Sequence, residues 1–289
     1  KLSCIEFTYV MEKLIRIIPK LDIKNGLLIK GINLEGLRVL GKPFDFAKSY
    51  YENGADEIIY LDNVATLYGT NNLRKFVKET AKSLHIPLTV GGGINSLDEI
   101  ERMLNNGADR VIVNSAAIED INFIKKASKR FGSSTIISSV EYTKIGKKNF
   151  ITKSNGRDLI KIDPVIWAKK LEEFGSGEII LTAINNEGTK SGFDIKSICE
   201  ISNNIKIPVI AHGGAGSFEH VYQVIKKTNI KGVAIASLFH YNNLIKTNYK
   251  KIKIGNTTFL KNFNNFTNEV SIIKRLKTYL KNKDINVNI

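Results

Sequence analysis

Short apolar runs recur along the chain, and each is followed by a stretch whose apolar residues have helical spacing. Strands that are apolar at nearly every position are buried on both faces, which is typical of a parallel sheet. Eight runs of this kind are predicted to be strands: Ile15–Asp22, Glu57–Asp62, Pro87–Val90, Arg110–Val113, Thr135–Val140, Glu178–Thr182, Pro208–Ala211 and Gly232–Ile235.

The segments between these runs carry helix signals. Ser96 precedes one helical stretch and has Glu99 three residues later, which is the spacing of a capping box. Asp163 and Pro164 open another, and Gly175 follows its end. Eight strand–helix units predict an α/β fold, the (β/α)8 TIM barrel. The alternative is a doubly wound sheet, but no Gly-x-Gly-x-x-Gly motif follows the first strand.

The chain also repeats itself at about half its length. The prolines at 87 and 208 each lead into a Gly-Gly pair, and they are 121 residues apart. Asn114-Ser115 and Ala236-Ser237 are 122 residues apart, and the acids that end the first and fifth strands are 119 apart. Three matches in register predict two similar half-barrels, an internal repeat within one fold.

The length and composition suit one domain. With 289 residues, 43% of them hydrophobic, the chain can bury a large α/β core. We expect a single barrel over residues 12–289, with 1–11 as an N-terminal extension outside the fold and an insertion-like segment at 246–267. The two cysteines and four histidines lack the spacing of a metal site, so no metal or other cofactor is expected. A reducing cytoplasm is the expected location.

Charge points weakly to anionic partners. Lys and Arg outnumber Asp and Glu by 43 to 28, a formal charge of +15, which favours nucleic acid, a membrane surface or phosphorylated metabolites. The strongest basic stretches lie late in the chain and are not interleaved with aromatics that stack on bases. No apolar run approaches the ~20 residues of a spanning helix. We therefore expect no nucleic-acid or membrane partner, and prefer a Lys-rich but ordinary surface.

Two acids stand at opposed strand ends, Asp22 after the first strand and Glu141 after the fifth. In TIM barrels the reactive groups lie at the carboxyl ends of the strands. Opposed carboxylates can act as general acid and general base if their surroundings separate their pKa values. The alternative is that each is a solvated loop acid or a helix cap. We prefer the catalytic interpretation.

Gly-rich turns at the same end of the barrel predict two phosphate cradles. Bare backbone N–H groups can approach an oxyanion where no side chain intervenes, and turns that merely connect strand to helix are the alternative. His212, beside the second turn, could contact a phosphate or be a structural histidine. The two sets are Gly92-Gly93 with Asn114-Ser115, and Gly213-Gly214 with Ala236-Ser237.

Four charged residues stand at or near the other ends of the strands. They should ring the bottom of the barrel, opposite the chemistry, where charges normally pair at the rim and stabilise the fold. A ring of alternating sign could instead gate a small molecule that enters from below. The four are Arg16, Glu57, Arg110 and Glu178.

At these motifs the chain resembles a known family, the cyclase subunit of imidazole glycerol phosphate synthase. The likeness runs from about residue 16 to 240 and resumes near 271–287. Several motifs occur in order, which makes the resemblance specific. They are Ile17-Ile18-Pro19-Lys20-Leu21-Asp22, Lys30-Gly31, Thr89-Val90-Gly91-Gly92-Gly93-Ile94, Asn114-Ser115-Ala116-Ala117, Gly188-Thr189-Lys190-Ser191-Gly192 and Gly213-Gly214-Ala215-Gly216.

The resemblance implies a half-repeated barrel and a lyase. Such an enzyme takes ammonia from a partner glutaminase and converts a ribulosyl-formimino aminoimidazole carboxamide ribonucleotide, which bears two phosphates, to imidazole glycerol phosphate and aminoimidazole carboxamide ribonucleotide. It implies that Asp22 and Glu141 are the catalytic acids, and that the four charges at the bottom form an ammonia gate. Substrate and phosphate positions map to Lys30, Gly93, Asn114, Ser115, Gly188, Gly214, Ala236 and Ser237.

Four departures from the family pattern leave a second interpretation open. Lys20 stands where the family usually has Cys, and Glu141 replaces the second catalytic Asp. Asn185 and Glu187 replace two further aspartates. The phosphate cradles and the ammonia gate are retained, whereas the acids are altered. This combination suits a paralogue that receives ammonia but amidates another substrate, such as a surface-glycan sugar. A non-catalytic anion-binding or nucleic-acid-binding barrel is less favoured, because both strand-end acids are still acidic.

Overall fold

The computed structural model describes residues 14–63, 73–244 and 271–289. Eight of their strands alternate with helices as the sequence predicts, and four further strands form hairpins. In chain order the elements are β1 (Arg16–Lys24), β2 (Leu27–Ile32), β3 (Glu35–Gly41), α1 (Pro43–Glu52), β4 (Ile58–Asp62), α2 (Leu73–Ser83), β5 (Leu88–Gly91), α3 (Leu97–Asn105), β6 (Arg110–Val113), α4 (Ser115–Glu119), α5 (Asn122–Phe131), β7 (Ile136–Ile145), β8 (Lys148–Lys153), β9 (Asp158–Ile160), α6 (Pro164–Glu173), β10 (Glu178–Ala183), α7 (Ile195–Asn204), β11 (Val209–His212), α8 (Phe218–Lys227), β12 (Gly232–Ile235), α9 (Ser237–Asn243) and α10 (Ile272–Lys281).

Eight of these strands form a closed parallel barrel. The order is β1-β4-β5-β6-β7-β10-β11-β12, and β12 returns to pair with β1. β7 pairs with β10, with Ile179 opposite Ser138, and the two halves of the barrel meet where β6 pairs with β7 and β12 pairs with β1. The (β/α)8 prediction is therefore confirmed, and the doubly wound alternative is wrong because a closed sheet has no edge.

Two hairpins occupy equivalent places in the two half-barrels and were not predicted. β2 and β3 follow β1, and β8 and β9 follow β7, the first and fifth strands of the barrel. The turn at Asn25 and Gly26, both with positive φ, carries the Asn-Gly signal of a tight hairpin. These hairpins lie at the carboxyl ends of the strands, beside the predicted site.

Residues alternate along each strand between two cores. The larger core lies between strands and helices, and the second fills the barrel. On β1 the inward positions are Arg16, Ile18, Lys20 and Asp22, so an apolar layer separates charge below from charge above. That layer consists of Ile18, Ile59, Ile112, Ile137, Ile180, Ile210 and Ala234.

The predicted helix caps hold in the structure. The Ser96 hydroxyl accepts a hydrogen bond from the backbone N–H of Glu99, and Asp163 caps α6 with Pro164 in its first turn. The expected extension (1–11) and insertion-like segment (246–267) lie outside the described residues. No helix within residues 14–63, 73–244 and 271–289 is long and apolar enough to cross a membrane.

Candidate active site

Both predicted acids lie inside the barrel at its carboxyl end. Asp22 is 2% exposed on β1, and Glu141 is 7% exposed on β7, which continues past it as far as Ile145. Glu141 therefore belongs to the strand and not to the loop after it. Since both side chains are buried, neither is a solvated loop acid.

Asp22 is held ionised by two lysines. Burial alone would raise its pKa, but the charges of Lys20 and Lys30 outweigh that effect and lower it. The Nζ of Lys20, two residues earlier on the same face of β1, donates a hydrogen bond to Asp22 Oδ1 in a buried ion pair. At neutral pH the Asp22 carboxylate can therefore accept a proton.

The pKa of Glu141 is shifted in the opposite direction from that of Asp22. Burial raises its pKa to about 7, with the nearby charge of Asp22 acting in the same direction, although Lys20 opposes it. Its Oε2 has no hydrogen-bond partner among the described residues. Glu141 and Lys20 line one cavity together with Ser139 and Thr182. The two acids thus differ in proton affinity, as a general base and a general acid must.

His212 lies inside the barrel, beside these charges. Its Nδ1 is 3.2 Å from the Thr182 hydroxyl of the neighbouring strand. Burial and the lysines lower its pKa well below the ordinary value, so the ring is neutral. Of its two predicted roles, the Thr182 contact favours the structural histidine. Its inward direction follows from β11, where it lies two residues after Ile210 of the apolar layer.

Lys30 is fixed by Glu187, one of the four departures from the family pattern. Its Nζ forms a fully buried ion pair with Glu187, in the loop after β10. The backbone N–H of Asn33 donates to the Glu187 carbonyl at 2.8 Å, which fastens the β2–β3 hairpin over the barrel mouth. Asn185 lies outside the mouth, where it accepts a hydrogen bond from the backbone of Lys144.

The two predicted cradles are geometrically alike. Gly92 and Gly93 at the end of β5, and Gly213 and Gly214 after β11, all have positive φ. A Cβ at Gly92 would lie 2.2 Å from the Asp62 carbonyl oxygen, and one at Gly214 would lie 1.9 Å from that of Gly192, so only glycine fits.

Each cradle is completed by the start of a short helix. Asn114 precedes α4 and Ala236 precedes α9 with nearly the same backbone angles, and neither gives a side-chain cap to its helix. The first backbone N–H groups of both helices are therefore without a side-chain acceptor. Ser115 accepts a long hydrogen bond from the Ser154 N–H, whereas the buried Ser237 hydroxyl has no partner among the described residues. Gly188, at φ 75°, packs against the Gly31 carbonyl nearby.

The four charges at the bottom of the barrel form a closed ring of alternating sign. Arg16 Nη1 lies 2.8 Å from Glu57 Oε2, and its Nη2 pairs with Glu178 Oε1. Arg110 bridges the same two glutamates at 2.5 Å each. The Thr89 hydroxyl donates to Glu57 Oε1 at 2.6 Å. The glutamates are buried, and their charges raise the pKa of Arg16 against the opposing effect of burial.

The chain is similar to known proteins over most of its length. A family model described as "Histidine biosynthesis protein" matches residues 16–245. Proteins named imidazole glycerol phosphate synthase subunit HisF are similar to the chain over most of their length. One from Legionella pneumophila is 48% identical over 206 residues, 71% of this chain and 97% of the relative.

Two further relatives with that name extend the match. The Sulfurisphaera tokodaii protein is 42% identical over 80% of this chain and 92% of its own length. The Bacillus cereus protein is 40% identical over 82% and 94%. The chain therefore belongs to the histidine biosynthesis protein family, among the HisF cyclase subunits of imidazole glycerol phosphate synthase.

Proposed function

We propose that this chain is a lyase that uses ammonia to convert the ribulosyl-formimino aminoimidazole carboxamide ribonucleotide to imidazole glycerol phosphate and aminoimidazole carboxamide ribonucleotide. The observation that carries the proposal is a pair of buried acids with separated pKa values, set between two glycine cradles at one end of a barrel. A long substrate with a phosphate at each end fits that arrangement. Its location in the cytoplasm stays a prediction.

The two acids divide the proton transfers. Asp22, kept ionised by Lys20 and Lys30, accepts a proton as ammonia adds to the ribulosyl carbonyl. Glu141, whose pKa is about 7, delivers a proton to the nitrogen or oxygen that leaves. Burial of both groups excludes water and strengthens their electrostatic effect on the reacting atoms.

The cradles and Lys30 hold the substrate. Backbone N–H groups near Gly93, Asn114 and Ser115 bind one phosphate, and those near Gly214, Ala236 and Ser237 bind the other, with Gly188 beside the second. Anions bind well where several backbone N–H groups converge at the start of a helix. Lys30, on the hairpin over the mouth, exchanges Glu187 for substrate when the site is occupied.

Ammonia enters from the opposite end through the ring of Arg16, Glu57, Arg110 and Glu178. Near neutral pH most ammonia in solution is present as ammonium, which is not a nucleophile. Delivery along a protected path therefore supplies the unprotonated form. The apolar layer above the ring excludes charged species from that path. The face around the ring is the docking surface for a glutaminase subunit.

Turnover of the ribulosyl substrate with ammonium salt, without a glutaminase, tests the activity. The glutaminase is then added with glutamine to test delivery. Arg16→Ala should lower glutamine-driven turnover at least tenfold more than ammonium-driven turnover. Arg130→Ala, which removes an exposed arginine paired with Glu101, is the matched control. Equal losses in both assays would mean that the ring only stabilises the barrel.

A second candidate function follows from Lys20, which places an ammonium group inside the barrel beside Asp22. An altered interior suits another acceptor, and a paralogue that amidates a surface-glycan sugar would keep the ring and the cradles. Absence of ammonium-driven turnover of the ribulosyl substrate would favour this candidate if ammonium salt instead converts a sugar with an activated carboxyl group to its amide and releases the activating group.

A further inference from the structure

Lys20 lies at a level of the barrel where its charge acts on both acids. It follows Ile18 of the apolar layer and precedes Asp22 on the same inward face of β1. Its side chain is almost fully buried and lines the cavity that also contains Glu141. An amine in this position cannot reach solvent, so its charge is neutralised by the acids around it.

The Lys20–Asp22 contact also restricts Asp22 mechanically. An ion pair between residues i and i+2 of one strand face holds both side chains against each other above the apolar layer. Glu141 is left without such a contact at Oε2. Lys20 therefore interacts differently with the two acids. It forms an ion pair with Asp22, whereas it shares only a cavity with Glu141.

We propose that Lys20 is a positioning residue that keeps Asp22 as the proton acceptor and leaves Glu141 as the proton donor. This inference rests on the proposed acid–base roles, although its first test below does not require turnover. Lys20 departs from the family pattern, and so does Glu141. In this proposal Lys20 separates the pKa values of Asp22 and Glu141.

Other charged groups around Asp22 do not replace Lys20. Lys30 of β2 acts in the same direction but is itself bound to Glu187. His212 of β11 and His240 of α9 are buried and neutral, because burial lowers the pKa of each, that of His240 to about 3. Among residues 14–63, 73–244 and 271–289, Glu141 of β7 is the other acid whose charge couples to Asp22, and its negative form would raise the pKa of Asp22.

Removal of the Lys20 charge should therefore bring the pKa values of Asp22 and Glu141 closer together, so that proton acceptor and proton donor are no longer distinct. In Lys20→Met, two buried carboxyl groups act on each other with one fewer cation between them, so the negative charge of either raises the pKa of the other. An opposite charge within about 4–6 Å shifts a carboxyl pKa by about 1–3 units. The midpoint at which Asp22 loses its proton should rise by that amount.

Infrared titration of the carboxyl groups measures this without substrate. The Asp22 and Glu141 bands are assigned by their loss in Asp22→Asn and Glu141→Gln. Lys20→Arg keeps the charge and should keep the Asp22 midpoint near that of the unaltered protein. Lys277→Met removes another buried lysine, which pairs with Asp56 at 2.6 Å away from the site, and should leave both bands in place.

Kinetics give the second readout. For Lys20→Met, the acid limb of the ammonium-driven pH–rate profile, expressed per unit of free ammonia, should move up by the same 1–3 units. If Lys20→Met shifts the Asp22 midpoint no further than Lys277→Met does, the proposal is overturned. If Lys20→Met shifts the Asp22 midpoint but the unaltered protein does not turn over the ribulosyl substrate, the positioning role of Lys20 is supported and the proposed function is contradicted.

Discussion

The two ends of the barrel both bury charged groups, yet they arrange them differently. At the bottom, each glutamate oxygen of the ring has an arginine or threonine partner, and two positive charges match two negative ones. At the top, Glu141 has an oxygen without a partner among the described residues, and its pKa is raised to about 7. The paired charges stabilise the closed ring, whereas the raised pKa of Glu141 leaves it a proton that it can exchange near neutral pH.

The separation between these ends comes from the inward face of the strands. Arg16 and Lys20 are four residues apart on β1, and Ile18 lies between them in the apolar layer. Charges on either side of this layer are separated by about 13 Å along the strand, at roughly 3.3 Å per residue. The ring residues do not contact the two acids, so a substitution in the ring leaves the surroundings of the acids in place. Each variant below therefore reports on one end of the barrel.

The largest effect is expected from Asp22→Asn. The amide cannot accept the proton that the carboxylate takes, so ammonium-driven kcat should fall by about 10²–10⁴-fold. The neutral side chain leaves Lys20 buried beside it without its carboxylate, which also lowers stability. The rate is measured with saturating ammonium salt, and the fold is checked by circular dichroism.

The double variant Asp22→Asn with Lys20→Met is the control for that loss of stability. It removes both members of the buried pair, which is better tolerated than removal of one. It should regain thermal stability without regaining activity. Near-normal kcat in either variant would remove Asp22 from the mechanism.

Glu57→Gln should have its main effect on stability. Glu57 accepts from both arginines of the ring and from Thr89, and removing one member of a buried ion-pair network costs about 3–5 kcal/mol. Urea unfolding measures the loss. Ammonium-driven kcat of the folded fraction should fall far less than in Asp22→Asn, and a fall as large would show that the two ends are not independent.

The pH dependence of stability should reveal the proton on Glu141. Its folded-state pKa of about 7 exceeds the ordinary value of 4.5, so between these pH values the folded state holds a proton that the unfolded chain has lost. Stability from this group is complete below pH 4.5 and is lost as pH rises through about 7, a fall of about 3 kcal/mol.

Glu141→Gln should remove that slope, because the amide does not titrate. Asp22 acts in the other direction and in another range: its lowered pKa adds stability above the ordinary Asp value that is lost on acidification. Urea unfolding at pH 5, 6, 7 and 8 compares the two proteins. Parallel curves would mean that Glu141 is ionised throughout in the folded protein.

Sequence reasoning reached the barrel and the ring because both depend on local signals. The apolar runs mark the strands, and Arg16, Glu57, Arg110 and Glu178 lie at their starts, so closure of the barrel brings them together. The contact of Lys30 with Glu187 joins residues 157 positions apart through an unpredicted hairpin. The raised pKa of Glu141 depends on burial from several strands, which no local pattern encodes.

The smallest effect is expected from shortening a glutamate, and it should differ between the two ends. Glu141→Asp removes one methylene from a side chain whose Oε2 has no partner among the described residues, at a cost of about 1 kcal/mol for the void. Because the family pattern has Asp here, ammonium-driven turnover should be held or raised. Glu57→Asp makes the same change in the ring, where the carboxylate must span Arg16, Arg110 and Thr89, so stability should fall by more than in Glu141→Asp. Urea unfolding and kcat are measured for both. A larger loss of stability in Glu141→Asp than in Glu57→Asp would mean that the top of the barrel is the more tightly paired end, and a drop in its kcat would mean that the longer side chain suits a different substrate.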